Sequence, residues 1–496
     1  MDESIERNMA AFFLSSIIPA GLTFIFWIFV ASFSGSEIIG VVIAVTSFSM
    51  ILTTISNFDI GVGIRKYLGE AFFDKNWESF KQISFSSLIF AFLTSIGIII
   101  ITFNPLFDIL DLIGIDKQFF MIIIFVVIGN SIINTTKGIL ISALKSTRII
   151  IPAAISSASR FVLLFSIIYF YDISELAVAY SYTAFYPILG IFMVIIIIIY
   201  FKSIPGKIKF NPQKLKLVFR GSLANWVPNV TELLGTQLGI LTIFALKGSA
   251  ETGLFYITFA IFNVINMIPS AINVINHPVF SGLRDLEKQK HQLERTIKLT
   301  YLISIPIASV VLFYSEIILR IIGESFVGAK EILMILVISF PIIILVDGIW
   351  FLIYARGSYK EVLILGLAAN STRIVLYLLL VPEFSGLGSA VAFIAGYIVQ
   401  LGITLLFIKK LKLGLNYPKF AVISLIPLTI GYLVSLFEFQ MFGPVIILVS
   451  TFVVYVKTKL LDQKDLNSIF KIIMKDDIAQ ETSEKVMRIL KKIYLA

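Results

Sequence analysis

Ile204-Pro-Gly-Lys-Ile-Lys-Phe-Asn-Pro-Gln-Lys214 is the stretch about which the chain divides. Two prolines, a glycine and several lysines make it a polar connector and a hinge candidate. On either side the sequence turns apolar for more than 20 residues, over about 176–201 and about 217–246. Segments of about 20 apolar residues cross a bilayer as helices, because each backbone N–H and C=O then finds its partner within the segment. Working outward, further stretches of this kind lie at about 10–33, 38–62, 82–104, 119–143 and 149–171 before the connector. After it come about 250–279, 297–321, 329–354, 360–382, 386–409, 417–437 and 442–460. The chain thus reads as all-α and polytopic, with about fourteen transmembrane helices.

Composition agrees. Of the 496 residues, 58% are hydrophobic and 14% charged, with a mean hydropathy of +0.96. A water-soluble globule carries about 25% charged residues. The polar pieces left over are short, chiefly 63–81, 202–216, 280–296 and the tail 461–496, so no soluble catalytic domain is expected. The first span ends too late for a cleavable leader and reads as a retained helix.

The net charge of +9 is not spread like a nucleic-acid surface. With both termini in the cytoplasm and loops alternating, most basic residues fall inside. These include Arg65, Lys66, Lys75, Lys81, Lys145, Arg148, the run Lys202 to Arg220 and the run Arg284 to Lys298. Outside fall Lys117, Lys247, Arg320 and Lys330, among acids such as Glu37, Asp108, Asp111, Asp172, Glu251 and Glu324. This is the positive-inside pattern. It predicts a multi-pass protein of the cell membrane with cytoplasmic ends, and no nucleic-acid partner.

The two sides of the connector look alike. Leu140-Ile-Ser-Ala-Leu-Lys-Ser-Thr-Arg148 closes the fourth span, and Leu352-Ile-Tyr-Ala-Arg-Gly-Ser-Tyr-Lys360 closes the tenth. At that offset Arg160 and Arg373 fall one position apart, each in mid-span. The expected organisation is a six-helix lobe at 1–203, a cytoplasmic linker at 204–216 and a second six-helix lobe at 217–412. Two additional spans at 413–460 and an amphipathic tail at 461–496 follow. Parallel repeats of this kind suit transporters that rock about a central site. In the tail, Leu466, Ile469, Phe470 and Ile473 share one face and Val486, Ile489, Leu490 and Ile493 another, so it is expected to lie on the cytoplasmic leaflet.

Charges in mid-span cost about 2.5–3.5 kcal/mol each on insertion scales, so they face a partner or a cavity. The basic ones are Lys137, Arg160 and Arg373; the acidic ones are Glu232 and Asp347, with Asp59 near the end of span two. Residues three or four apart share a helix face. Asn130, Asn134 and Lys137 form one polar stripe, and Asn225, Asn229, Glu232 and Thr236 a second. Asn263, Asn266, Ser270, Asn273 and His277 form a third. Asn370, Arg373 and Tyr377 form another, as do Asp347, Trp350 and Tyr354. A single stripe serves as interhelical glue; several, with net buried positive charge, favour a water-filled cavity. Fixed Lys and Arg bind phosphate or carboxylate, Asn offers hydrogen bonds to hydroxyls, and Trp226, Trp350 and Tyr377 offer flat faces to sugar rings. A lipid-linked saccharide phosphate fits this chemistry.

Other chemistry has little support. There is no cysteine and there are two histidines, His277 and His291, which excludes thiolate and multi-histidine metal centres. No Walker loop is present, and no cofactor is implied. Asp108 and Asp111 could form an acidic metal motif of a membrane glycosyltransferase, though two acids in an acidic loop are more often a solvated face.

Several motifs, spread over nearly the whole chain, resemble the multidrug/oligosaccharidyl-lipid/polysaccharide (MOP) exporter superfamily. They are Asp59-Ile-Gly-Val-Gly-Ile-Arg65, Glu251-Thr-Gly-Leu-Phe-Tyr256, Ile268-Pro-Ser270 and Pro278-Val-Phe-Ser281. Ile321-Ile-Gly-Glu-Ser-Phe-Val-Gly-Ala-Lys330 and Phe384-Ser-Gly-Leu-Gly-Ser-Ala390 complete the set. Within the superfamily the chain looks most like the polysaccharide, O-antigen-type flippase branch. Lipid II flippases of the superfamily carry arginines in their first two helices, and cation-coupled drug exporters often have an acid in helix one; both features are lacking here. The resemblance implies a flippase, not an enzyme, that moves a polyprenyl (pyro)phosphate-linked oligosaccharide outward by alternating access, with glycan-assembly enzymes as candidate partners. It places Lys137, Arg160 and Arg373 on phosphate or acidic sugar, with Asn225, Asn229, Asn266 and Asn273 beside them. Glu232 and Asp347 become candidates for a coupling cation. A drug exporter of the same fold, a membrane-embedded glycosyltransferase or polymerase, and a non-transporting scaffold are the alternatives.

Overall fold

The computed structural model describes residues 2–106, 109–283, 285–411, 413–437, 442–470 and 476–495, and every regular element among them is helical. The helices are α1 (Asp2–Ala31), α2 (Ser36–Asn57), α3 (Ile60–Phe73), α4 (Trp77–Thr102), α5 (Ile109–Ile113), α6 (Phe120–Ser142), α7 (Thr147–Phe170), α8 (Glu175–Thr183), α9 (Phe185–Lys202) and α10 (Pro212–Lys247). They continue as α11 (Ser249–Gly282), α12 (Leu286–Phe313), α13 (Ser315–Ile322), α14 (Lys330–Ile338), α15 (Phe340–Ala355), α16 (Tyr359–Lys410), α17 (Tyr417–Ser435), α18 (Gly443–Lys457), α19 (Gln463–Phe470) and α20 (Asp476–Leu495).

Eleven of the described helices are long and apolar enough to cross a bilayer. One of them, α16, has 52 residues. At 1.5 Å per residue it is about 78 Å long, enough for two crossings. It breaks at Ser385 (φ 49°, ψ −131°), where the Ser385 hydroxyl donates to Glu251 Oε2 at 2.6 Å. The pair Glu324–Ile338 and Phe340–Ala355, bent by 41°, and the short apolar α18 supply the remaining segments that the sequence leads one to expect.

Two connectors expected to be loops are largely helical. Much of 63–81 belongs to α3 and α4, and α12 begins at Leu286, well before its apolar part. Polar caps start these extensions: Asn76 accepts from Ser79 N at 3.0 Å, and Asp285 accepts from Lys288 N at 2.9 Å. A side-chain oxygen of this kind satisfies an N–H that the first turn leaves without a partner.

The chain forms two compact units. The first comprises 1–257 and 373–392, the second 258–372 and 393–496, so the boundaries fall inside α11 and α16. In the first unit, glycines let backbones touch. A Cβ on Gly40 would lie 1.8 Å from Ser249 O, and one on Gly253 would lie 1.9 Å from Ser36 O. This is the small-residue packing by which membrane helices associate without a hydrophobic drive. The α16 segment of this unit seats on α10, where Tyr377 Oη donates to Gly235 O at 2.7 Å.

The linker is tied to α4. The buried Lys81 donates from Nζ to Ile204 O at 2.8 Å and to Gly206 O at 2.9 Å. Asn211 donates from its backbone N to Ser86 Oγ at 2.8 Å and from Nδ2 to Gln82 Oε1 at 3.1 Å.

In the second unit, buried hydroxyls join helices: Tyr301 donates to Pro341 O, Ser309 to Pro427 O and Tyr455 to Ile423 O. The tail packs on protein. Asp465 of α19 pairs with Lys298 of α12 at 2.5 Å, and Arg295 Nη2 donates to Ser468 Oγ at 2.8 Å. Leu466 is buried, and in α20 the buried face is Ala479, Ser483, Met487 and Leu490, a stripe at steps of four and three residues. Val486 and Ile489 do not share it, and Ile489 is exposed. Ile473 and the side chains of Ile469 and Ile493 lie outside the described residues.

Candidate functional site

The site begins at the break between α2 and α3. Phe58 and Asp59 are both left-handed, with φ of 49° and 52°. Each such non-glycine residue costs about 1–3 kcal/mol and persists only where its surroundings hold it. Here the Phe58 ring sits among Trp226, Phe219 and Phe90, with centroids 5.0, 5.3 and 5.9 Å away. Trp226 Nε1 in turn donates to Thr54 O at 2.9 Å. Below the break, Gly61 docks on α6, where a Cβ would lie 2.4 Å from Asn134 O. A Cβ on Gly138 would lie 2.1 Å from Gly61 O, and one on Gly63 would lie 1.9 Å from Ser222 Oγ. The aromatic nest and the glycine contacts together fix α3 against α6 and α10.

A cavity of about 240 Å³ opens at this junction. Asn57, Asp59 and Arg65 line it from the break and α3, Asn134 and Lys137 from α6, and Asn229 from α10. Lys137 makes no hydrogen bond or ion pair with any described residue. Asn57 donates to Ser131 O at 3.4 Å, while its buried Oδ1 accepts nothing. Asp59 lies past the end of the second span. Burial raises its carboxyl to about 6, against the opposing pull of Arg65. The cavity therefore offers two cations, one carboxyl that titrates close to neutrality, and amides on three elements. Such a set can hold an anionic, hydroxyl-bearing group.

Of the residues singled out by their helical stripes, Asn134, Lys137 and Asn229 line this cavity. Asn225 is exposed on α10 and is not part of the lining. Arg160 is buried elsewhere in the first unit. It donates to Thr23 Oγ1, and its guanidinium lies 4.5 Å from the Tyr182 ring centroid and 4.6 Å from that of Phe185. Arg373 is also buried, and its charge acts on Glu232 and on Tyr377. In the second unit Asn273 is buried, Asn266 is half-buried with an unsatisfied Oδ1, and Asp347 is half-buried on α15. Asp108 and the side chain of His277 lie outside the described residues. The stripes did not disclose Asn57 or Arg65. The usable signal was Asn57-Phe58-Asp59 itself, two Asx residues where an apolar span should continue.

The fold recurs in solved structures. The lipid II flippase MurJ in an inward closed conformation superposes with a TM-score of 0.68 at 17% identity, over 90% of this chain and 98% of that one. The chain has the MOP fold. An inward-facing multidrug resistance MATE family transporter of the MOP superfamily gives 0.65 at 15% identity, over 79% and 95% of the two chains. A MOP superfamily transporter from Pyrococcus furiosus, described as having a binding pocket of reversed polarity, gives 0.57 at 14%, over 82% and 96%. No family model and no curated protein matches the sequence. Identities this low carry the MOP fold and leave the cargo to be argued from the residues.

Proposed function

We propose that this protein is a MOP-type transporter, not an enzyme, and that it moves a polyprenyl (pyro)phosphate-linked oligosaccharide outward across the cell membrane by alternating access. The observation that carries this reading is Lys137, a lysine with no partner among the described residues, in a polar cavity that also holds Arg65. A fixed cation at that depth needs an anion to offset its desolvation. Lys137 and Arg65 would take the phosphate, and Asn57, Asn134 and Asn229 the sugar hydroxyls. Arg160, clasped between rings, would supply positive potential without touching cargo. Arg373, with Asn225, Asn266 and Asn273, would serve later along the path, and Glu232 and Asp347 are candidates for a coupling cation. Both termini would be cytoplasmic, as the loop charges require.

The test is transport of a lipid-linked oligosaccharide in proteoliposomes. Lys137→Ala should reduce the rate at least about tenfold while expression and insertion stay normal, and Lys137→Arg should restore part of it. Normal transport by the Ala variant would remove this cavity from the pathway. Likeness to a MATE transporter favours a second reading, a cation-coupled multidrug exporter. That protein would confer resistance to cationic compounds, depend on Glu232 or Asp347, and tolerate loss of Lys137.

A further inference from the structure

The second unit carries a polar cavity of its own, lined by none of the residues of the site above. It encloses about 350 Å³ among the polar start of α12, the first turn of α17 and the α19 segment of the tail. Eight charged or titratable side chains line it, and the acids among them are already engaged. Glu294 Oε1 accepts from Asn416 N at 3.0 Å. Asp465 takes Lys298 and also accepts from Asp462 N at 3.1 Å, while Asp462 Oδ1 accepts from Asp465 N at 2.8 Å. The hydrogen bonds of Asp462, together with the Lys298 charge, outweigh its burial and hold its carboxyl below the usual range. The carboxylates are thus spent on the frame.

Lys298 aside, the cations are not. Lys419 and Lys464 reach the cavity, their amines making no hydrogen bond or ion pair with any described residue, and His291 lies beside them. Arg295 uses one nitrogen on Ser468 and keeps the rest of its fork. The 19-residue α17 points its N-terminus at the same space, with Asn416 as its cap. Two amines with no partner among the described residues, part of a guanidinium and the positive end of a helix converge on one cavity with ample room for a phosphate.

We infer that this cavity is a phosphate-binding site, taking either a free phosphate group or the phosphate of an anionic phospholipid headgroup, and that Lys419, Lys464 and Arg295 are its ligands. It is separate from the cargo site and does not rest on the transport reading. Because Lys464 and the Asp465 clasp belong to α19, an occupied site also holds the tail on α12.

The experiment uses the full chain. Thermal unfolding in detergent is followed with inorganic phosphate and, at equal ionic strength, with chloride. In parallel, phosphatidylglycerol or phosphatidylcholine nanodiscs are analysed by native mass spectrometry for retained lipid. Each is repeated with Lys419→Gln/Lys464→Gln, whose amines make no hydrogen bond or ion pair with any described residue. Phosphate stabilisation that chloride does not reproduce, weakened at least about tenfold in the double variant, supports a site open to the free ion. Retention of phosphatidylglycerol that the double variant loses, without a response to inorganic phosphate, supports the headgroup as the source. If neither phosphate nor phosphatidylglycerol distinguishes the wild type from the double variant, the site does not exist. Arg295→Gln gives a second reading: it should weaken the same ligand while Lys298 and Asp465 still hold the tail, measured by unchanged proteolysis at 459–464.

Discussion

Arg160 shows how a charge can be kept inside a bilayer without a carboxylate. Two rings face its guanidinium and Thr23 takes one nitrogen, so the packing depends on a flat cation. Arg160→Lys should therefore destabilise the protein nearly as much as Arg160→Met, by about 1–2 kcal/mol, read as a lower midpoint of unfolding in detergent. A lysine variant as stable as the wild type would mean that the rings do not matter. Asp59 makes a different prediction. Its folded carboxyl titrates near 6, raised from 3.8, so the folded chain keeps its proton longer than the unfolded one. The stability it contributes is complete below about pH 4 and is lost as pH rises through 6. Asp59→Asn, which the left-handed backbone accepts, should add about 1–3 kcal/mol at pH 7.5 and little at pH 4. The cavity also gains net positive charge as Asp59 protonates, so anion binding should strengthen from pH 7.5 to 5, and Asp59→Asn should flatten that dependence. At this scale Lys137, Asn134 and Asn229 were legible, because three-residue spacing puts polar groups on one face. Arg65 and Asn57 were not, because their place depends on rings contributed by α4 and α10, far away in sequence.

Among the elements, the kink in α16 sets two effects against each other. Ser385 has a positive φ that favours glycine, yet its hydroxyl donates to the Glu251 carboxylate. Ser385→Ala loses the bond and keeps the strain, at about 1.5–3 kcal/mol. Ser385→Gly also loses the bond but relieves about 1 kcal/mol of strain. The Ala variant should thus unfold at the lower temperature, and the reverse order would assign the kink to packing alone. The spans themselves were readable from apolar runs, since length and hydropathy are local properties. The break in α2 was not: the run from Ser36 carries no proline and continues apolar past Asp59, and it is the nest around Phe58 that ends the helix there. The polar starts of α4 and α12 were likewise hidden, because polar helix turns leave no hydropathy signal; their Asn76 and Asp285 caps were the available clue.

For the molecule as a whole, the loop charges predict orientation. Reporters fused after Lys75, Lys209 and Lys290 should read cytoplasmic and one after Asp172 external. An inverted pattern in either half would overturn the proposed topology. The MOP fold could be anticipated from weak motifs because they were spread along nearly the whole chain. The composition of the units could not. The first unit takes in 373–392, and nothing in the sequence marks that segment as belonging with residues so far upstream.

That composition has a consequence for biosynthesis. The α10 surface that seats Tyr377 and Ser389 is made early, yet its covering segment leaves the ribosome only after about 125 further residues. At about 5–20 residues per second, the gap lasts on the order of 6–25 s. During that time Gly235 and Gly239 lie open on a helix already inserted, a natural station for an insertase or chaperone to guard. A nascent chain stalled before residue 373 should be crosslinked to such a factor through α10, and one stalled after the emergence of 373–392 should not.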